Sequence, residues 1–139
     1  MVQKGEILFY HLEKAPVSRS FLSHTVKSIL KYLKSPQKSI SLIFISPLQM
    51  KEMNTYWRHH PQTTTVLTFN EGDIFLCPQE IKKQALQRNL SLKTFYQILL
   101  IHSILHLFGY THDKRKEREK MESLEQKIKD FVCEGKPEQ

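Results

Sequence analysis

Cysteine is scarce in this sequence of 139 residues: Cys77 and Cys133 lie far apart with no Cys-x-x-Cys pair, which argues against a disulfide framework and a thiolate zinc site. There is no internal repeat, low-complexity tract or Gly/Ser linker, so residues 1–133 read as one domain and 134–139 as a disordered tail. Met1–Tyr10 lacks the basic start, long apolar stretch and cleavage site of a signal peptide. The most apolar run, Phe95–Phe108, is broken by Gln97, His102, Ser103 and His106, and is too short and polar to span a bilayer. These absences lead us to expect a cytoplasmic protein without a membrane partner.

Acidic residues are also thin, at 14 against 21 Lys plus Arg, giving a net charge of +7. Such an excess favours a polyanionic partner, nucleic acid first. Its distribution is uneven. Residues 113–139 hold eight residues of each sign, and the run Lys114–Lys120 interleaves Glu117 and Glu119, so it reads as a solvated helix face. Between Glu13 and Glu52 no acidic residue occurs, while Lys14, Arg19, Lys27, Lys31, Lys34, Lys38 and Lys51 do. The helix over Ser18–Lys34 presents Lys27, Lys31 and Lys34 on its wet face, and we expect these three to bind RNA phosphates. A merely solubilising lysine face is the plainer alternative.

Hydrophobic patterning predicts the order β-α-β-α-β-β-α-α-α. Ile7–Tyr10 is a short strand, and Phe21, Leu22, Val26, Ile29, Leu30 and Leu33 follow at helical spacing. Ile40–Ile45 is apolar without alternation, as in a central strand covered on both faces. Ser46-Pro47-Leu48-Gln49 starts a helix: Ser46 caps, Pro47 takes the first turn, Gln49 completes a capping box, and the helix runs to about Trp57. Val66–Phe69 and Ile74–Cys77 flank Asn70-Glu71-Gly72-Asp73, an antiparallel hairpin signal. Helices follow from Pro78 to near Asn89, from about Ser91 to Phe108, and from about Asp113 to Val132. The expected fold is α/β: one small mixed sheet of about four strands, parallel except for one antiparallel hairpin, with about five helices packed on it.

Chemistry concentrates in His102–His112. His102 and His106 are four apart on a helix, so their rings share one face and reach one metal ion. On a continuing helix His112 would lie roughly 15 Å further along. Gly109 is placed to end the helix in a left-handed turn and return His112 as a third ligand. Three imidazoles with an open fourth position describe a catalytic zinc site with one Zn2+ per chain. The spacing H-x-x-x-H-x-x-G-x-x-H is that of the metzincin proteases, but Ser103 occupies the place of their glutamate base, which disfavours peptide hydrolysis.

These residues resemble the YbeY family of ribosomal-RNA maturation endoribonucleases. Its hallmark H-G-x-L-H-L-x-G-Y-D-H is matched by His102, Leu105, His106, Leu107, Gly109, Tyr110 and His112. A second motif, an asparagine helix leading to Arg and T-D-V-L-S-F, is similar to Asn54, Trp57, Arg58, Thr64, Val66, Leu67 and Phe69. The resemblance continues through Gly72-Asp73-Ile74 and the helix holding Met121 and Glu125. Ser103 replaces the family's Gly, and Thr65 and Thr111 each replace an Asp; none of these removes a metal ligand. Asp113 is read instead as a cap of the last helix.

The resemblance implies a mixed α/β domain with zinc in a basic cleft. It further implies a single-strand-directed endoribonuclease that matures the small-subunit 3′ end and serves ribosome quality control, with the small subunit or assembly factors as partners. Arg58 then becomes the catalytic candidate outside the histidines, because a guanidinium holds a phosphate with two hydrogen bonds and stabilises its developing charge. A rim salt bridge is its alternative. His59 and His60 either contact RNA or face solvent. Zinc would polarise the phosphodiester or acidify a water, leaving open whether water or the RNA 2′-hydroxyl attacks. The competing reading is a non-catalytic, zinc-containing RNA-binding assembly factor.

Overall fold

The computed structural model describes residues 5–69, 71–111 and 113–134. Its elements are β1 (Ile7–Tyr10), a 3-10 turn (Leu12–Lys14), α1 (Arg19–Tyr32), β2 (Ile40–Phe44), α2 (Pro47–Arg58), β3 (Val66–Phe69), β4 (Asp73–Leu76), α3 (Pro78–Gln87), α4 (Leu92–Leu107) and α5 (Arg115–Glu134). Every expected strand and helix is present. The sheet order is β1-β2-β4-β3, with β1–β2 and β2–β4 parallel and β3–β4 antiparallel. It is the mixed α/β architecture read from the sequence, and the hairpin places β3 at an edge.

Local chemistry accounts for the helix starts. Ser18 and Ser91 accept from the backbone N–H groups of Phe21 and Thr94 at the heads of α1 and α4. At α2 the capping box forms in full: Ser46 Oγ accepts from Gln49 N at 3.2 Å, and Gln49 Oε1 accepts from Ser46 N at 3.0 Å. The last helix differs slightly from expectation. Arg118 N donates to Lys114 O at 2.8 Å, the first intrahelical bond, so the capping position is Lys114 and not Asp113.

One face of the sheet packs on α1, α3, α4 and α5. Ile40, Leu42 and Phe44 of β2 and Ile74 and Leu76 of β4 meet Leu22, Val26, Ile29, Ile81, Leu100, Ile104, Met121 and Ile128 there, all fully buried. The other face carries a smaller cluster of Ile45, Met50, Leu67 and Cys77, with Met53, Phe69 and Phe75 against it. Cover on this second face is partial: among the described residues α2 is the helix that contributes to this cluster, and Ser41 and Ile43 of β2 are only half-buried. Among the described residues no single helix is long and apolar enough to cross a membrane. α4 is enclosed on most sides, with Phe95, Tyr96, Leu99, Leu100, Ile101, Ile104 and Leu105 all buried.

Candidate active-site cleft

The C-terminal turns of α4 emerge from this core carrying His102 and His106. Their ring centroids are 4.5 Å apart at 67°, and the two Nε2 atoms approach to 3.0 Å. Their shared helix face thus aims both imidazoles at one point. Glu125 of α5 stands behind His102, its Oε2 2.8 Å from Nδ1. A neutral His102 that donates from Nδ1 to this carboxylate carries its lone pair at Nε2, the arrangement by which a carboxylate orients a metal-binding histidine. Sequence reasoning did not assign Glu125 a role. Its signal was a carboxylate four residues after Met121 and three before Ile128, on the apolar side of an amphipathic helix.

α4 ends as the glycine predicts. Gly109 has φ +93°, its N–H donates to His106 O at 3.0 Å, and Tyr110 N donates to Leu105 O at 3.1 Å. That pair of bonds is the Schellman ending, which turns the chain away from the helix axis. His112 itself, the third expected ligand, lies outside the described residues. Among the described residues no group of three His, Cys, Asp or Glu side chains is placed to hold a metal ion. The donors that are described fit zinc: two imidazole nitrogens bound at about 2.0 Å in a tetrahedron lie about 3.3 Å apart, a few tenths of an ångström beyond the observed separation.

The opposite wall of the cleft comes from α2, the loop after it, and β3. α2 ends at His59, which adopts the left-handed conformation with φ +60°. His60 N then donates to Asn54 O at 3.2 Å, while the buried Asn54 side chain donates to Gln62 O at 2.9 Å. Thr63 Oγ1 donates to Pro47 O at 3.2 Å, fastening the same loop to the head of α2. Held this way, Arg58 reaches edge strand β3 and donates from Nη2 to Thr68 O at 2.9 Å. Its guanidinium carbon lies 5.7 Å from the Phe69 ring centroid. Arg58, His60, Val66, Leu67, Thr68, His102 and His106 together line an open cleft of about 470 Å³.

The structure brings Arg58 to the same cleft as the two described histidines, and adds His60. Among the described residues no carboxylate pairs with Arg58, so the rim salt bridge does not form. Lys27 and Lys31 are exposed on α1, whereas Lys34 is exposed beyond it, since the helix ends at Tyr32 and Lys34 takes a left-handed conformation with φ +59° after the cap; none of the three lines this cleft. Ser103 is buried. Thr65 is buried too, and its carbonyl accepts from Cys77 N at 3.0 Å. Thr111 Oγ1 donates to Glu117 at 2.7 Å, tying the loop to α5.

Fold and cleft together define a class: a small mixed-sheet α/β domain in which an imidazole pair and a guanidinium face one open groove. Comparison gives the family. The model of the family described as Endoribonuclease YbeY matches residues 10–132. A protein of that name from Phytoplasma mali is 37% identical over 122 residues, covering 83% of this chain and 82% of its own. Another, from Thermodesulfovibrio yellowstonii, is 41% identical over 104 residues and 64% of each chain. A solution structure of a Thermotoga maritima protein superposes with a TM-score of 0.65 at 25% identity, covering 91% of this chain and 88% of that one. The chain belongs to the endoribonuclease YbeY family, and so to the hydrolases that cut RNA internally.

Proposed function

We propose that this protein is a zinc-dependent endoribonuclease that processes ribosomal RNA precursors, including the small-subunit 3′ end, in the cytoplasm. It works there beside the small subunit or its assembly factors. The observation that carries the reading is the shared cleft: convergent His102 and His106, with Glu125 behind, face Arg58 across one groove in a chain of this family. His102, His106 and His112 would hold one zinc ion, which supplies Lewis acidity at the scissile phosphate when bound.

The chain's own residues do the rest. The Thr68 carbonyl occupies one of five guanidinium donors of Arg58, leaving others to hold a phosphate and stabilise its growing negative charge. Glu125 fixes the rotation of His102, so that its Nε2 faces the groove. Val66, Leu67 and Thr68 give the groove a β-edge wall. Lys27 and Lys31 on α1, with Lys34 just beyond its end, serve as a more distant contact for the RNA backbone.

Precursor ribosomal RNA incubated with zinc-loaded protein should be cut, and His106→Ala should lose both zinc and cleavage. Mapping of the ends names the attacking group. A 5′-hydroxyl paired with a 2′,3′-cyclic phosphate reports attack by the 2′-hydroxyl, whereas a 5′-phosphate paired with a 3′-hydroxyl reports attack by water. Undiminished cutting by metal-free His106→Ala would refute the reading.

A further inference from the structure

Beside the cleft, α2 exposes two large rings that the core does not need. Tyr56 and Trp57 have 71% and 57% of their surface exposed. They meet edge to face at 4.8 Å and 84°, and the row continues inward from Trp57 to Phe69 at 5.9 Å and from Phe69 to Phe75 at 5.6 Å. Edge-to-face contacts leave ring faces uncovered that stacked pairs would hide. Phe69 also lies under the guanidinium of Arg58, which lines the cleft, so the row and the cleft share a residue contact.

The segment that carries Tyr56, Trp57 and Phe69, from Met53 to Asn70, contains Arg58, His59 and His60 and no aspartate or glutamate, although Glu52 stands one turn before Tyr56 on α2. Exposed aromatics next to a basic groove are how proteins hold unpaired bases, whose flat faces a duplex hides within its stack. We infer that Trp57, backed by Phe69 and flanked by Tyr56, is a stacking platform for an unpaired base next to the phosphate that Arg58 holds. The inference rests on the RNA-cleaving function proposed above and deepens it: the platform selects single-stranded substrate.

Trp57 is the sole tryptophan, so fluorescence reports on this position alone. The test titrates the full chain with a 2′-O-methyl phosphorothioate oligoadenylate of about ten nucleotides, checked to be uncut over the titration. An abasic strand of equal length and charge is the control. The base-bearing strand should quench Trp57 and bind more tightly than the abasic one. Trp57→Ala should weaken base-bearing binding roughly five- to a hundredfold, to the abasic level, with the salt dependence retained because phosphate contacts remain. Trp57→Phe should restore most of the loss, separating stacking from a folding defect.

Unchanged fluorescence with the strand bound, or full affinity in Trp57→Ala, overturns the inference and leaves the face to a protein partner. If the wild type still cuts ribosomal RNA in that case, only the platform falls. If it neither cuts nor binds either strand, the functional reading falls with it.

Discussion

Alanine at Gly109 and alanine at Gly72 should weaken the fold to different extents, because one site has only a backbone problem and the other has two. Both glycines have positive φ, +93° and +105°. An L-residue held there loses about 1–2 kcal/mol, of which about 0.4–1 kcal/mol returns through a stiffer unfolded chain. At Gly109 a Cβ would meet nothing within 4 Å, so the net loss should stay between about 0 and 1.6 kcal/mol. At Gly72 the same Cβ would stand 2.8 Å from Ser39 O, a backbone atom at the entrance to β2. Relief there requires moving the strand junction where Ser41 N donates to Gly72 O at 2.9 Å, which adds about 1–3 kcal/mol. Urea unfolding with a common slope measures both, and Gly109→Asn should cost less than Gly109→Ala because asparagine tolerates the left-handed region. Equal losses at the two sites, or a more stable Gly109→Ala, would refute the claim that α4 ends by backbone conformation alone.

Three further outcomes are expected. Glu125→Ala should reduce zinc affinity roughly tenfold or more in a chelator competition, since His102 then loses the carboxylate that orients it. Arg58→Lys should keep most RNA binding but slow single-turnover cleavage roughly tenfold or more, because an ammonium cannot reproduce a two-pronged phosphate contact. Tyr96→Phe should leave stability unchanged or raise it by about 1 kcal/mol in urea. The Tyr96 hydroxyl is buried with no hydrogen-bond partner among the described residues, and desolvation, with Cys77 nearby, pushes its pKa well upward.

The helix caps were readable because their signals are local. Ser46, Pro47 and Gln49 carry the start of α2 within four residues, and Gly109 carries the end of α4 in one. Strand order was less accessible, since β4 enters between β2 and β3 through contacts distant in sequence. Composition does not separate the two: β3 buries Leu67 and packs Val66 on the core, and β4 carries Asp73 beside Ile74 and Leu76. Within the site, four-residue spacing places His102 beside His106, but nothing local joins His102 to Glu125, 23 residues on. Arg58 was found through motif resemblance; its grip on the Thr68 carbonyl depends on the tertiary placement of β3.

Because the imidazole pair sits on the most enclosed helix, that pair and the main core belong to one cooperative unit. Amide protons of α4 should be among the last to exchange, and any opening wide enough to disorder that helix also scatters the two rings. Melting confined to the edges of the molecule therefore leaves the two rings in place, and their separation marks the collapse of the whole domain rather than a local loosening.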